Sequence, residues 1–217
     1  LYAQEYERGK PRKDVRKAGK CPTGITGTSV TFEPDPEIFK EIKYSWKTIL
    51  DHMRQQAYLV GKVRIKILDE REEPHGSYQF YFEGGLPSFV DYLNRDEEPK
   101  HQNIFYASKE HDGIQDDIAL QYTEDIQGIE MSFANNIYTS EGGVHITGFR
   151  TALTRVLNDF SKKNGLLKDD EGLTGDDVRE GLTAVISVKM RDPQFEGQTK
   201  SKLGNPEART AVEAVMA

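Results

Sequence analysis

A long polar loop near the carboxyl end of the sequence carries the residue types best suited to chemistry. It runs from Asp192 to Asn205, between an apolar run and a segment with helix-start signals. Gln198 and Lys200 stand two residues apart within it. An amide and an ammonium at that spacing suit contact with a phosphate group, because both donate hydrogen bonds and the ammonium adds charge. An ordinary solvent-exposed loop is the alternative, and residue types alone leave it the commoner outcome.

No self-contained catalytic motif accompanies this loop. The sequence contains no Walker loop, nucleophile elbow, zinc-protease helix or dinucleotide fingerprint. Its five histidines are scattered without the spacing of metal ligands. Asp112, Asp116 and Asp117 could be imagined as a metal cluster, but acidic residues that protect an exposed sheet edge are the simpler interpretation. We therefore predict no metal site in this chain.

Composition excludes several classes of protein. The 217 residues carry a formal net charge of −7, which argues against a polybasic nucleic-acid binder. The apolar runs are shorter than the ~20 residues of a membrane helix, so we expect no membrane contact. Cys21 is the only cysteine, which excludes an internal disulfide and fits a reducing, cytoplasmic location. The length suits one large domain, or one domain and part of another.

Apolar periodicity predicts the elements that must position the loop. Helical spacing predicts helices over 45–59, around 89–93 and from Gly143 onward, the last with a buried stripe ending at Phe160. Arg155 and Asn158 fall on the polar face of that long helix. Strands are predicted at 28–32, 63–67, 78–82, 103–109, 115–123, 129–136 and 182–190.

The end of the loop carries a helix-start signal. Asn205 before Pro206 predicts a helix with Asn as its cap. Together the elements predict an α+β layered domain, with a small piece of a different domain in front of it.

Several long runs of the sequence resemble motifs of one protein family. They are GTSVTFEPD at 27–35, EGG at 83–85, EGGVH and GFR within 141–150, ALTRVLN at 152–158, GDDVREGLTAVISVK at 175–189 and QTK at 198–200. These runs are similar to motifs of the gyrase B and topoisomerase IV B subunits, the ATPase subunits of bacterial type IIA DNA topoisomerases. The resemblance covers essentially the whole chain in the family's order. Val144 departs from the family's usual Thr, and 57–62 departs from its usual run.

The resemblance implies a fold and a domain organisation. Residues 37–217 would form a transducer domain, a two-layer α/β sandwich of the α+β class that occurs in GHKL ATPases. Residues 1–36 would be the C-terminal tail of a Bergerat-fold nucleotide domain, including its last strand. The chain begins at Leu1 without Met and ends within a helical pattern, so we expect it to be a fragment.

The resemblance also implies roles for individual residues. Gln198 and Lys200 would contact the γ-phosphate of ATP, sense it and stabilise charge during its transfer. Thr28 would lie on a strand near the adenine pocket. Arg155 would face the cavity through which DNA passes in the dimer.

The resemblance further implies cofactors and partners for the complete subunit. It would use ATP and Mg²⁺, act on DNA with the gyrase A or topoisomerase IV A subunit, and dimerise through the missing N-terminal region. The family's catalytic Glu, magnesium-binding Asn and glycine-rich lid have no counterpart in this sequence. We therefore expect neither bound nucleotide nor ATP hydrolysis from this chain alone.

Three other interpretations stay open at the level of sequence. Topoisomerase IV B is difficult to separate from gyrase B on this segment. A non-catalytic domain of the same fold that binds DNA or protein would have no use for the QTK run. A different GHKL ATPase, such as a mismatch-repair or chaperone protein, should lack the EGGVH and REGLTAVISVK runs.

Overall fold

The structure is a computed structural model that describes residues 1–168 and 170–217. The chain divides into two compact units, Leu1–Ser45 and Trp46–Ala217. The division follows Ser45, whereas the sequence places a domain boundary between 36 and 37. That the first unit is the tail of a nucleotide domain stays a prediction.

The first unit contains only very short strands. They are β1 (Tyr2–Ala3), β2 (Tyr6–Glu7), β3 (Lys10–Pro11) and β4 (Arg16–Lys17). β1 pairs with β4 and β2 pairs with β3, both antiparallel. The strand predicted over 28–32 is wrong, because that segment pairs with no other part of the described chain. Alternation of apolar residues does not suffice for a strand, since its backbone groups need a neighbouring strand.

In the described residues the second unit combines a mixed five-stranded sheet, a separate two-stranded antiparallel sheet formed by its first two strands, and five helices. Its strands are β5 (Ile65–Asp69), β6 (Gly76–Phe80), β7 (Phe105–His111), β8 (Ile114–Tyr122), β9 (Ile129–Ala134), β10 (Ile137–Tyr138) and β11 (Leu182–Lys189). Its helices are α1 (Trp46–Leu59), α2 (Leu86–Leu93), α3 (Val144–Lys163), α4 (Gly175–Arg179) and α5 (Pro206–Met216). None of the described helices has the length and apolar character needed to cross a membrane.

The strand β11 lies at the centre of the sheet, whose order is β10-β9-β11-β8-β7. It pairs antiparallel with β8 and parallel with β9. One face is covered by α3 and α5, where Phe149 and Val212 pack with Ile186. On the other face Phe89 of α2 and the end of α1 pack against Val185. This arrangement confirms the predicted α+β class, and it adds α1 and α2 to the face opposite the main helical layer.

The predicted helices and strands of this unit form close to their expected positions, with two differences on α3. Arg155 is exposed on its polar face, as expected. The periodicity places Phe160 on the buried stripe, but its side chain is 58% exposed. The same periodicity places Asn158 on the solvent side, yet its amide donates to the Leu173 carbonyl at 3.0 Å and its oxygen accepts from the Leu173 N–H at 2.7 Å. Helical periodicity could not predict this contact, because Leu173 lies outside the helix.

The expectation of acidic residues at a sheet edge is wrong for Asp116 and Asp117. Both lie on β8, which has β7 on one side and β11 on the other. Asp116 is fully buried, and neither of its carboxylate oxygens has a hydrogen-bond partner among the described residues. Burial, and secondarily the neighbouring Asp117, raises the pKa of Asp116 to about 7.

Asp117 is also buried but is compensated. Its carboxylate accepts hydrogen bonds from the Tyr106 hydroxyl at 3.1 Å and from Lys189 Nζ at 3.2 Å. Burial by itself raises the pKa of Asp117, but hydrogen bonds from Ser108, Lys189 and Tyr106 and the Lys189 charge outweigh it, so the net shift is downward.

Candidate functional site

Gln198 and Lys200 lie together on an exposed tight turn at the tip of the predicted loop. The Lys200 N–H donates to the Gly197 carbonyl at 3.3 Å, which closes a four-residue turn. Gly197 has φ +91° and Lys200 has φ +56°, so both residues adopt left-handed backbone conformations. Glycine accepts this conformation without steric cost, whereas a lysine there is uncommon. The turn directs an amide and an ammonium to the solvent side.

The Lys200 ammonium is available for an anion. Within the described residues no carboxylate lies at ion-pair distance from it. Its Nζ lies 5.9 Å from the centroid of the Phe195 ring, at the outer limit of a cation–π contact. A negatively charged ligand therefore need not displace a strong internal partner.

Asn205 holds the base of the loop, and its amide also donates to the Glu207 carboxylate in the first turn of the following helix at 2.8 Å. Its side-chain oxygen accepts from the Gln194 N–H at 2.5 Å, and its amide donates to the Asp192 carbonyl at 3.2 Å. It occupies the N-cap position of α5 as predicted, but its side chain makes no capping hydrogen bond. The predicted capping contact is therefore wrong, and the buried Asn205 ties the start of the loop to its end instead.

The other side of the loop is fastened to residues before α3. The Glu141 N–H donates to the Ser201 carbonyl at 2.9 Å, the Leu203 N–H to the Gly142 carbonyl at 3.1 Å, and the Val144 N–H to the Leu203 carbonyl at 3.0 Å. The Ser201 hydroxyl donates to Glu141 Oε1 at 2.8 Å. We call these four hydrogen bonds the loop clamp. It joins two runs that are 60 residues apart in sequence.

Gly143 lies between the clamp residues Gly142 and Val144, and a glycine is required there by the close approach of two backbone segments. Gly143 has φ +137°, and a Cβ atom there would lie 2.6 Å from the Leu203 nitrogen. Any other residue would push these two backbone segments apart. This explains in physical terms why an EGG run precedes α3.

A buried polar network lies beneath the clamp. Thr139 donates from Oγ1 to the Ser132 carbonyl at 2.8 Å, so the contact of 3.2 Å between Thr139 Oγ1 and His145 Nε2 requires the proton on Nε2. Burial lowers the pKa of His145 to about 4, which keeps the ring neutral. In the sequence His145 is one of five scattered histidines, and only its place in the EGGVH run could have drawn attention to it.

A cleft of about 520 Å³ opens beside the clamp. Its two cationic side chains are paired within the chain, Arg150 with Glu130 at 2.6 Å and Lys202 with Glu196 at 3.1 Å. Because these cations already have partners, the turn offers a better phosphate contact than the cleft does.

The other two predicted site residues lie elsewhere. Arg155 is exposed on α3, eleven residues after the helix begins, which corresponds to about 17 Å along the axis. Thr28 lies in the first unit on an exposed segment outside any strand. The structure thus brings Gln198 and Lys200 together, while the roles of Arg155 and Thr28 stay predictions.

Comparison with solved structures defines the class of protein to which this fold belongs. The chain superposes on the 43K ATPase domain of Thermus thermophilus gyrase B, solved with an aminocoumarin, with a TM-score of 0.82 and 37% identity, covering 99% of this chain and 58% of that one. It matches a topoisomerase IV ATP-binding domain from Francisella tularensis with a TM-score of 0.82 and 27% identity, covering 99% and 58%. The fold is that of the ATPase regions of bacterial type IIA topoisomerases.

Sequence comparison narrows the class to one family. A family model described as DNA gyrase B matches residues 85–217. The chain is 50% identical over 217 residues to the DNA gyrase B protein of Bacillus mycoides, covering 99% of this chain and 53% of that protein. It is 48% identical over 217 residues to the DNA gyrase B protein of Halalkalibacterium halodurans, covering 99% and 34%. The chain belongs to the DNA gyrase B family, and it spans between a third and about half of these relatives.

Proposed function

We propose that this chain is the part of a type IIA DNA topoisomerase ATPase subunit that senses the γ-phosphate of ATP, through Gln198 and Lys200. The observation that carries the proposal is the exposed turn, which presents an amide and an ammonium without a carboxylate partner. Both groups are preorganised by a loop fastened on two sides. A cation and an amide held in this way stabilise the charge on a transferring phosphoryl group.

The attachment of the loop through the loop clamp supports a role in coupling nucleotide state to DNA passage. The loop clamp ends at Val144, where α3 begins, and α3 carries Arg155 on its exposed face. A displacement of the turn after hydrolysis would therefore act on the end of a helix about 30 Å long. We propose that Arg155 faces the DNA cavity of the dimer and that the complete complex introduces negative supercoils.

The proposed cofactors are ATP and Mg²⁺ in the complete subunit. An exposed amide and ammonium fit a terminal phosphate, and Thr28 would contribute to the adenine pocket. In the described residues no three carboxylate, histidine or cysteine side chains are grouped to hold a metal. We assign Gln198 and Lys200 to the phosphate.

The proposed partners are those of a gyrase complex. They are DNA, the A subunit, and a second copy of the complete B protein that dimerises through a region outside this chain. A bacterial enzyme that acts on chromosomal DNA would work in the cytoplasm. Identities of 46–50% to gyrase B proteins favour gyrase, whereas the structural match to a topoisomerase IV domain leaves decatenation as the second candidate.

The γ-phosphate role is tested by substitution in the complete subunit. We expect Lys200→Ala or Gln198→Ala to lower the ATPase rate on the order of 100- to 1,000-fold, the usual effect of one preorganised charge-stabilising contact. Lys202→Ala is the matched control, because it removes the same charge from a lysine of the same loop that is partly buried and paired with Glu196. An ATPase rate unaffected by Lys200→Ala would exclude the role and favour a non-catalytic binding domain.

The isolated chain should neither bind ATP tightly nor hydrolyse it, since the sequence lacks the family's main nucleotide-binding motifs. Calorimetry with ATP and a phosphate-release assay would check this. Magnesium-dependent turnover by the chain that Lys200→Ala abolishes would contradict the prediction. Supercoiling and decatenation assays on the complete complex would separate the gyrase assignment from the topoisomerase IV assignment.

A further inference from the structure

We propose that Glu141 is a positioning residue for the phosphate-contacting turn and that it acts through Ser201. This inference rests on the proposed function of Lys200, and it concerns a residue that does not itself touch the phosphate. Its basis is the contact between the Glu141 carboxylate and the residue that directly follows Lys200.

Two contacts from Glu141 hold Ser201 in place. The Glu141 N–H donates to the Ser201 carbonyl at 2.9 Å, and Glu141 Oε1 accepts from the Ser201 hydroxyl at 2.8 Å. Hydrogen bonds to a charged carboxylate are stronger than those between neutral groups. Ser201 is only 9% exposed, although Lys200 beside it is exposed. Ser201 is therefore held in place, while the residue directly before it, Lys200, faces the solvent.

These two hydrogen bonds, which we call the Ser201 anchor, matter because of the backbone conformation of Lys200. A left-handed conformation is sterically unfavourable at a residue with a Cβ, and it persists only where neighbouring structure enforces it. For Lys200 the neighbours are the hydrogen bond to Gly197 on one side and the fixed Ser201 on the other. Without the Glu141 carboxylate, Ser201 loses one of its two attachments to Glu141. Lys200 can then relax toward negative φ, which moves its ammonium.

The Ser201 anchor differs from the other contacts of the loop in that it holds the residue next to Lys200. Asn205 fixes the base of the loop, and Glu196 pairs with the partly buried Lys202. Neither of these side chains touches the residue next to Lys200. Thr199 contacts Ser201 from within the turn, with 3.3 Å between the two hydroxyl oxygens, so it moves with Ser201. Among the hydrogen bonds of the described residues, the one from Ser201 to Glu141 is the side-chain link from the turn to the residues before α3.

The test uses the complete subunit and steady-state ATPase kinetics. We expect Glu141→Ala and Ser201→Ala each to lower kcat about tenfold, with KM within about twofold, because small misplacement of a group that contacts the transition state costs mainly the chemical step. Glu141→Gln should retain near-normal kcat, since its amide oxygen can still accept from Ser201. Ser201→Thr should do the same because it keeps the hydroxyl. The Glu141→Ala/Ser201→Ala double variant should be no slower than the slower single variant.

Two controls separate positioning from structural damage. Glu196→Ala removes a carboxylate from the same loop without touching Ser201, and kcat should stay unchanged. In a Lys200→Ala background, Glu141→Ala should have no further effect, because Glu141 acts through Lys200. The melting temperature of Glu141→Ala should stay within a few degrees of the wild type.

The outcomes separate this inference from the function on which it rests. If Lys200→Ala slows the ATPase but Glu141→Ala does not, only the positioning role is overturned. If Glu141→Gln is as slow as Glu141→Ala, or if Glu141→Ala slows the Lys200→Ala enzyme further, the role through Ser201 is also overturned. If Lys200→Ala has no effect, the proposed phosphate contact fails and the positioning role fails with it.

Discussion

The buried carboxylate of Asp116 makes the stability of this fold depend on pH in a direction opposite to the usual one for an aspartate. The side chain is fully buried on β8, inside the sheet, and within the part of the chain that the structure describes neither of its oxygens is hydrogen-bonded. Lys109 pairs with it in register on β7, but the exposed lysine forms no ion pair with Asp116 among the described contacts. Ionisation of Asp116 therefore opposes folding, because an uncompensated buried charge is unfavourable.

The magnitude follows from the two pKa values. The pKa of Asp116 is about 7 in the folded chain, against an ordinary value of 3.8. A difference of about three units corresponds to about 4 kcal/mol, at 1.36 kcal/mol per unit. Because the folded pKa is the higher one, the folded state binds more protons between about pH 4 and pH 7. The free energy of unfolding should fall across that interval as pH rises, and the loss is complete above the folded pKa.

Asp116→Asn removes the titration and keeps the shape of the side chain. The amide has its own cost of burial, but that cost is independent of pH, so the slope of the difference carries the test. Relative to the wild type, the variant should gain about 4 kcal/mol of unfolding free energy between about pH 4 and about pH 8. Urea unfolding followed by fluorescence of Trp46, the only tryptophan, and by circular dichroism would measure it.

Asp117→Asn is the matched control, since it changes the neighbouring aspartate on the same strand. The pKa of Asp117 is lowered, because the hydrogen bonds from Ser108, Lys189 and Tyr106 outweigh its burial. It therefore contributes stability above its unfolded pKa, and that contribution is lost as pH falls through the folded pKa. Relative to the wild type, Asp117→Asn should therefore show a nearly constant difference between pH 4 and pH 8, and a slope opposite in sign to that of Asp116→Asn only below about pH 4. A difference between Asp116→Asn and wild type that is constant from pH 4 to pH 8 would refute the reasoning.

Two further predictions concern the support of the candidate site. Gly143→Ala should destabilise the chain on the order of 2–4 kcal/mol and displace the loop, because its Cβ would meet the Leu203 backbone. Gly165→Ala is the control: Gly165 has φ +67° and open space around it, so the substitution should cost only about 1 kcal/mol. Equal losses of unfolding free energy in urea would contradict the close approach at Gly143. His145 should stay neutral, with its proton on Nε2, from about pH 8 to about pH 5, as read from ¹⁵N chemical shifts of the imidazole; a titration midpoint near 6.5 would show that burial does not lower the pKa of His145.

Local patterns of the sequence predict most elements of the second unit. The apolar stripes of α1 and α3 have the helical period, and the run that forms β11 is long, apolar and rich in β-branched residues. These signals reside in the segments themselves, so no knowledge of neighbours is needed to detect them. The exposed turn with Gln198 and Lys200 is also foreseeable, because residue type and spacing define its chemistry.

The wrong predictions share one physical cause, because in each case the structure of the segment depends on partners elsewhere in the chain. The strand predicted at 28–32 has the right alternation but no neighbour to pair with among the described residues. Asp116 looks like a surface residue until β7 and β11 are placed on either side of β8. Asn205 has the residue type of a helix cap, yet its side chain bonds to the Gln194 and Asp192 backbone groups and to the Glu207 carboxylate instead of to the backbone N–H groups of α5.

The sequence by itself predicted most helices and strands of the second unit and, through its motifs, the family. It also marked Gln198 and Lys200 as candidates for contact with a phosphate. Only the tertiary structure decided what holds Lys200 in its left-handed conformation and which acidic side chain is buried without compensation. Residue type sets the chemistry a side chain can perform, whereas burial and hydrogen bonding depend on what surrounds it. Glu141 and Ser201 lie 60 residues apart, so their contact exists only once β11 and α3 have packed together.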